Sequence, residues 1–335
     1  MFQKDVSLDY KSKFRKALEK FLDKNDMLLI ITEEADYTTS VVIDWLLFNN
    51  IKFIRINQTD ELEIYFLKDD IELKAKNYSF LLSEITSYWY RRGSLNIKFN
   101  KTTDKKINNF INLEVSKCLQ YLYFKLSKLH HLNLYQNAVV NKLIVSGIAR
   151  EIGFTTPNDY LINTKEELFK IKGYKNHISK TITGSTMINL GEYTLVGNTK
   201  FLDCKNKITN NFFPSLVQNY IEKRYELRIF YLDGCTYSMA IFSQNDETTK
   251  VDFRNYNKNN PNRTIPFNLP TVIEKKIDKL MKKLNLNSGS IDMIVTPDLE
   301  FVFLEVNPVG QFGMVSYPCN YRLHEKIVSF FDNII

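Results

Sequence analysis

Three oxygen-bearing side chains near the end of the chain, Asp292, Glu305 and Asn307, interrupt two short β-branched and aromatic runs, Ser290 to Val295 and Phe301 to Val306. The runs are divided by Thr296-Pro297-Asp298-Leu299-Glu300, which reads as the turn of an antiparallel hairpin. Side chains alternate faces along a strand, so Glu305 and Asn307 share a face, and the short connection brings Asp292 level with them on the neighbouring strand. Carboxylates set into an apolar sheet repel one another and are costly to desolvate unless something positive lies between them. A donor set made only of oxygen suits Mg²⁺, which keeps waters and shares itself with phosphates. The competing reading is a solvated strand face carrying acids by chance, and the hairpin alone does not decide between them.

Cations elsewhere bear on that choice. Lys142 opens a helix ending near Gly153, and Lys180 is the one buried-looking cation of the strand His177 to Thr181; both are placed on a lid-like domain. Glu226 and Arg228 lie on the strand Glu226 to Leu232, and Arg254 follows Asp252 and Phe253 in a polar connection. Taken singly, a strand lysine is more often a side chain snorkelling to the surface than a ligand. Taken together, three oxygen donors, two lysines from a facing domain and two arginines describe a clamp for a triphosphate.

The elements that must carry these residues follow from periodicity. Met27 to Thr32, Thr38 to Asn49 and Ile51 to Ile56 form a strand, a helix and a second strand of a small parallel sheet. The connection Glu33-Glu34-Ala35-Asp36-Tyr37 has no glycine, which argues against a dinucleotide site there. Glu63 to Phe66 and Ile71 to Leu73 read as a hairpin, and Ser87 to Arg92 as a strand. Arg91 and Arg92 either hold an acidic substrate or form a solvated strand end. Apolar positions from Ile107 to Leu129 predict one or two long helices over residues 105 to 131. Tyr160 to Ile162 is a strand, Thr164-x-x-Glu167 a capping box, and the chain turns sharply around Thr183 to Thr186. Leu216 to Tyr220 begins the last domain; Asp233-Gly234 is a hairpin turn, and Thr271 to Leu284 a helix. The expected domains are a helical extension over 1–26, a parallel-sheet domain with a helical linker over 27–132, a central lid over 133–215 and a C-terminal domain over 216–335. The extension rests on Phe14, Leu18, Phe21 and Leu22 at helical spacing, a face that needs a docking surface.

Composition excludes several classes. A chain of 335 residues with 44% hydrophobic and 13% aromatic residues is long and apolar enough for two or three cored domains. No apolar run approaches the roughly 18 residues of a membrane span, and the charged N-terminus lacks a signal-peptide core, so a cytoplasmic protein without membrane attachment is expected. Cys118, Cys204, Cys235 and Cys319 are scattered without metal spacing, as are His130, His131, His177 and His324. The formal charge of +7 is spread over many lysines with no clustered arginine and aromatic module, so an anionic small ligand is favoured over nucleic acid.

Several of these segments resemble one family. Asn141-Lys142, the I-S-K strand at 178–180, Q-N-Y-I-E-K with E-L-R at 218–228, V-D-F-R at 251–254, and I-D-M-I with F-L-E-V-N-P-V-G-Q-F look like the ATP-grasp ligases, over about residues 27 to 332. The start I-T-E-E-A-D-Y-T-T with V-I-D-W-L, the W-Y-R-R run and the ending L-E-V-N-P-V-G-Q-F-G-M-V-S are similar to graspetide maturases of the grasp-with-spasm branch. The resemblance implies an α/β (α+β) ATP-grasp fold: a parallel-sheet pre-ATP-grasp domain, a central lid and a C-terminal antiparallel-sheet domain. It also implies a cytoplasmic, ADP-forming ligase that uses ATP and two Mg²⁺ ions. Asp or Glu side chains of a ribosomal precursor peptide, with a leader and an acidic, Thr-rich core, would become acyl phosphates and be joined to Thr or Ser hydroxyls or Lys amines. A homodimer is implied as well. Lys142 and Lys180 would contact the phosphates, Gln218, Tyr220 and Ile221 would form the adenine hinge largely through backbone groups, and Glu226 would hold the ribose. Asp292, Glu305 and Asn307 would bind Mg²⁺, and Arg228, Arg254 and Lys180 would act on the transferred groups. Glu226 and Asp252 are weak candidates for a general base. The alternative is an ATP-grasp ligase adding amino acids or glutamate to a protein or small acceptor.

Overall fold

The computed structural model describes residues 27–100, 102–183, 187–196, 199–202, 208–244 and 261–332. The expected helix within 1–26, the end of the turn at 184–186, and Asp252 and Arg254 lie outside the described residues. The chain forms two compact units, one reaching to Tyr135 and resuming at His324, the other Gln136–Leu323.

The first unit opens with β1 (Met27–Thr32), α1 (Tyr37–Phe48) and β2 (Phe53–Asn57). Five of the six β1 residues are buried, as an unbroken apolar run requires when both sheet faces are covered. A hairpin follows, β3 (Glu61–Phe66) and β4 (Ile71–Lys74), extended by β5 (Ser79–Leu81); then come β6 (Ile85–Tyr90) and the short β7 (Asn96–Ile97). Within 105–131 the helix is single and ends at Leu126, α2 (Lys105–Leu126), whose N-cap Asp104 accepts from the amides of Lys106 and Ile107; a short strand that periodicity did not predict, β8 (His130–Leu132), follows it. Strands β2, β1, β6 and β8 make an all-parallel sheet in that order.

Arg91 is buried and does not form the solvated strand end that was one of the two alternatives. Strand β6 stops at Tyr90, and the two arginines turn back onto Asp36 at 3.1 and 3.7 Å. Asp36 also accepts from Thr32 and Thr39, so Oδ2 of this buried carboxylate at the start of α1 is met by two hydroxyls and two guanidinium groups. Burial pulls the Arg91 guanidinium down to about 10 against the opposing pull of Asp36.

Among its described residues the second unit holds three sheets, a two-stranded pair and two others, one smaller and one larger. Its first elements are α3 (Lys142–Ile152), β9 (Asp159–Thr164), α4 (Lys165–Lys170), β10 (His177–Lys180), the β11 (Met187–Asn189) and β12 (Thr194–Val196) pair, β13 (Lys200–Phe201) and β14 (Asn211–Asn219). Helix α3 is bracketed as its sequence dictates, by the Asn141 side chain accepting from the amides of Leu143 and Ile144 and by Gly153 at φ 93°. The capping box of α4 forms between Thr164 and Glu167. Strands β13, β10, β14 and β9 make the smaller antiparallel sheet. Leu216 to Asn219 therefore belongs to that sheet, because β14 pairs with β10 on one side and β9 on the other, and does not start the larger sheet.

The larger sheet runs β17 (Arg263–Phe267), β16 (Cys235–Phe242), β15 (Tyr225–Leu232), β18 (Ser288–Val295), β19 (Phe301–Asn307), all antiparallel. Asp233 and Gly234 take φ values of 41° and 88°, the left-handed pair that a two-residue turn between β15 and β16 needs. Leu227, Ile229, Tyr231, Ile291, Met293 and Phe303 form one apolar face, covered by α5 (Thr271–Lys283) and by α3 through Val145 and Ala149. Helix α3 is thus part of the larger sheet's core, whereas the sequence reading placed Lys142 on the lid; its apolar positions match that face of the sheet. Past β19 the chain continues as α6 (Gly313–Cys319) and α7 (Leu323–Asp332), and α7 supplies Phe331 to the first unit's core beside Trp89. Among the described residues no helix is long and apolar enough to cross a membrane.

Candidate active site

The face of the larger sheet opposite α3 and α5 carries the polar residues. In the register of β15, β18 and β19, Arg228 is level with Asp292 and Asp292 with Glu305, so these three stand in one row across three strands. Glu226 is two residues before Arg228 and Asn307 two after Glu305, which puts both on the same face. A β-bulge follows Asp292, where the register shifts beside Met293, so the row sits at a local break in the ladder.

Two neighbouring carboxylates in the row are flanked by cations. Arg228 donates to Asp292, with both side chains about nine-tenths buried (10% and 12% exposed), and Lys142 reaches Glu305 from the first turn of α3 at 2.9 Å. Two cross-strand carboxylates would repel one another at this spacing, and each is met by its own cation. Asn307 is exposed, and its amide oxygen accepts from the Val309 amide at 3.1 Å. That oxygen has a second lone pair. The turn after it depends on Gly310, whose amide donates to the Asn307 carbonyl at 3.1 Å and whose α-carbon abuts Ser290 so closely that a Cβ would overlap the serine side chain. Glycine in N-P-V-G is therefore a packing requirement of β18.

The donor set fits a hard divalent cation: two carboxylates and an amide oxygen on one face, the carboxylates already balanced by positive charge. Among the described residues no three His, Cys, Asp or Glu side chains gather to hold an ion.

Glu226 is buried, and its Oε1 accepts from the Lys223 ammonium and from the Ser243 hydroxyl at 2.8 Å. Burial still lifts its carboxyl above the ordinary range, against the pull of Lys223 and Ser243. Lys223 stands in the I-E-K run, where no residue type or spacing marks it; only the fold buries it beside Glu226. Ser243 carried no signal at all.

The remaining expected residues are placed apart from the row. Lys180 ends β10 in the smaller sheet, level with Leu216. Gln218 lies inside that sheet, level with Ile178 on one side and Asp159 on the other, and its side-chain amide donates to Asp159 at 2.7 Å. Its backbone is thus taken up by the ladder, and any backbone pairing with a ligand falls to the linker that begins at Tyr220. The Tyr220 amide donates to the Asn176 carbonyl at 2.9 Å, and its ring packs 4.8 Å from that of Phe201. Ile221 follows, half-buried. Asp159 ties the two sheets: besides Gln218 it accepts from Ser146 (2.7 Å) and Arg150 (2.9 Å), both on α3. Burial opposes its ionisation, but the bonds from Gln218, Arg150 and Ser146 prevail and hold the carboxyl below its usual range. Arg254 lies outside the described residues.

The chain matches no family model and no curated protein sequence. Solved structures do match. A Chryseobacterium gregarium RiPP-associated ATP-grasp ligase, in complex with ADP and a leader and core peptide, superposes with a TM-score of 0.78 at 24% identity, over 92% of this chain and 97% of that one. The macrocyclase MdnC from Microcystis aeruginosa, bound with precursor peptide MdnA, gives 0.75 at 24% identity over 92% and 99%. The ATP-grasp ligase PsnB, complexed with a minimal precursor, Mg and ADP, gives 0.67 at 12% identity over 93% and 98%. The parallel sheet, the small antiparallel sheet and the five-stranded antiparallel sheet are together the ATP-grasp fold.

Proposed function

We propose that the chain is an ATP-dependent, ADP-forming peptide macrocyclase of the graspetide-maturase kind. The observation that carries this is a pair of facing carboxylates, Asp292 and Glu305, each met by its own cation, Arg228 and Lys142, in a fold shared with ligases captured on precursor peptides. The front and end motifs favour the grasp-with-spasm branch. Asp292, Glu305 and Asn307 would hold Mg²⁺, in our reading two ions, which would neutralise charge on the triphosphate. Lys142 and Lys180 would neutralise the rest, and the linker from Tyr220 with Ile221 would receive the base.

The chemistry requires an acyl group made reactive at neutral pH. An Asp or Glu side-chain oxygen of the precursor attacks the γ-phosphorus, the bond to the β-phosphate oxygen breaks, and ADP leaves. A Thr or Ser hydroxyl, or a Lys amine, then attacks the acyl carbon; inorganic phosphate leaves and the nucleophile's proton passes to a base. Arg228, beside the row, and Arg254 would stabilise the oxyanion that develops. Both reacting groups belong to one tethered peptide, so positioning lowers much of the barrier. Glu226 suits the ribose better than the base, because both of its donors restrain it.

Incubation with ATP, Mg²⁺ and a Thr- and Glu-rich precursor is expected to lower the peptide mass by one water per crosslink. Mass added to an acceptor would support an amino-acid or glutamate ligase instead, and unchanged peptide with steady ADP release would refute macrocyclisation. We further propose a cytoplasmic homodimer that engages neither nucleic acid nor membrane. Ile107, Phe110, Leu113, Tyr121 and Phe124 leave an exposed apolar stripe along α2; light scattering on Phe110→Lys, expected to give monomer, checks it.

A further inference from the structure

We infer that Lys223 and Ser243 are positioning residues that hold the Glu226 carboxylate by one oxygen, so that its other oxygen is presented to the vicinal hydroxyls of a nucleoside triphosphate's ribose. The inference rests on the nucleotide reading above and adds to it the residues that give the site its preference for a ribose over a sugar without hydroxyls.

Three features carry it. Both donors reach the same atom, Oε1, and they come from separate elements: Lys223 from the linker between β14 and β15, Ser243 from the end of β16. Two anchors on one oxygen from two directions fix the plane of the carboxylate and leave Oε2 the ligand-facing atom. All three residues are buried, Lys223 and Ser243 at 4% and 0% exposure, so the arrangement is built into the sheet rather than formed on its surface. A buried ammonium and carboxylate are expensive to desolvate, and such a pair is kept where it fixes a geometry more readily than where it only adds stability. Finally, Glu226 lies on the same face as Arg228 and one strand repeat away, roughly 7 Å, the step that separates a sugar from the phosphates it bears. Burial raises the Glu226 carboxyl, and the Lys223 ammonium and Ser243 hydroxyl act against that rise, in favour of the acceptor-only form that two hydroxyl donors require.

The test compares binding of ATP and of 2′,3′-dideoxy-ATP by titration calorimetry on the full chain with Mg²⁺. The unaltered chain is expected to prefer ATP by about tenfold or more, the worth of one charge-assisted hydrogen-bond pair. Lys223→Met should bring the ratio to within about twofold of unity while leaving dideoxy-ATP affinity unchanged, and Ser243→Ala should lower the ratio by about threefold in the same way. A merely structural role would weaken both nucleotides alike. Glu226→Gln separates the two layers of the argument. If Glu226→Gln loses the preference and Lys223→Met and Ser243→Ala keep it, the positioning role is overturned and the nucleotide site stands. If Glu226→Gln keeps the preference, the ribose role falls and the inference with it. If the unaltered chain binds neither nucleotide, the ligase reading itself fails. Should Lys223→Met not fold, Ser243→Ala decides, a full ratio there overturning the inference.

Discussion

Replacing Asp292 by Asn keeps the shape of the side chain and removes its charge, which separates stability from chemistry. Arg228 and Asp292 are 10% and 12% exposed, so loss of one partner strands a guanidinium inside the sheet. Breaking a buried pair in this way costs about 3–5 kcal/mol. The structure also supplies an opposing contribution, since Asp292 is level with Glu305 and removing one of two facing acids relieves up to about 1 kcal/mol of repulsion. The expected cost for Asp292→Asn is therefore about 2–4 kcal/mol, with turnover abolished. Arg228→Met combined with Asp292→Leu should recover stability to within about 1 kcal/mol, because an apolar pair needs no counter-charge, and should stay inactive. Trp45 and Trp89 both lie in the first unit, so tryptophan fluorescence would report the wrong part of the chain. Urea unfolding followed by circular dichroism, with ADP release as the activity assay, reads the right one. A single variant that loses less than 1 kcal/mol, or a double variant no more stable than the single, would refute the coupling; full turnover by either would refute the metal assignment.

Other expectations follow from neighbouring contacts. Glu305→Gln breaks a pair whose side chains are 24% and 22% exposed, so its stability cost should stay within about 1 kcal/mol while ADP release is lost, in contrast to Asp292→Asn. Asp159 has a folded pKa below its ordinary value of 3.8, so its contribution is present above that value and is lost as pH falls through the folded one. Asp159→Asn should accordingly flatten the fall in urea midpoint between about pH 4 and 2 relative to the unaltered chain; an unchanged slope would show that Asp159 is not the group responsible. Gly310→Ala should displace β18 or the turn and reduce Mg²⁺ affinity, measured by Mn²⁺ titration, because a Cβ there overlaps Ser290.

The terminal hairpin and its alternation were legible because they depend on neighbours in sequence. Strict alternation from the five-residue turn would set Asp292 opposite Leu304 and Glu305 opposite Ile291; the β-bulge after Asp292, which nothing local in the sequence marks, brings the two acids level on one face. The Asp233-Gly234 turn, the Thr164 capping box and the Asn141 to Gly153 helix were legible for the same reason. Whatever depends on distant packing was not. Arg91 ends an apolar strand and could have faced solvent; only the folded chain brings Asp36 to it. Gln218 reads as a linker residue until β9 and β10 close around it. Lys223 looks like one of many lysines because nothing local marks it as buried, and α3 carries no signal saying which sheet its apolar side will meet.

That last contact bears on how the protein can be cut. Val145 and Ala149 of α3 are fully packed into the core under the five-stranded sheet. A fragment starting at Leu216 would lose that covering and bare the underside of β19, whereas one starting before Asn141 would retain it. Anyone dissecting the chain into expressible pieces should keep the helix with the sheet it roofs, however far apart the two lie along the polypeptide.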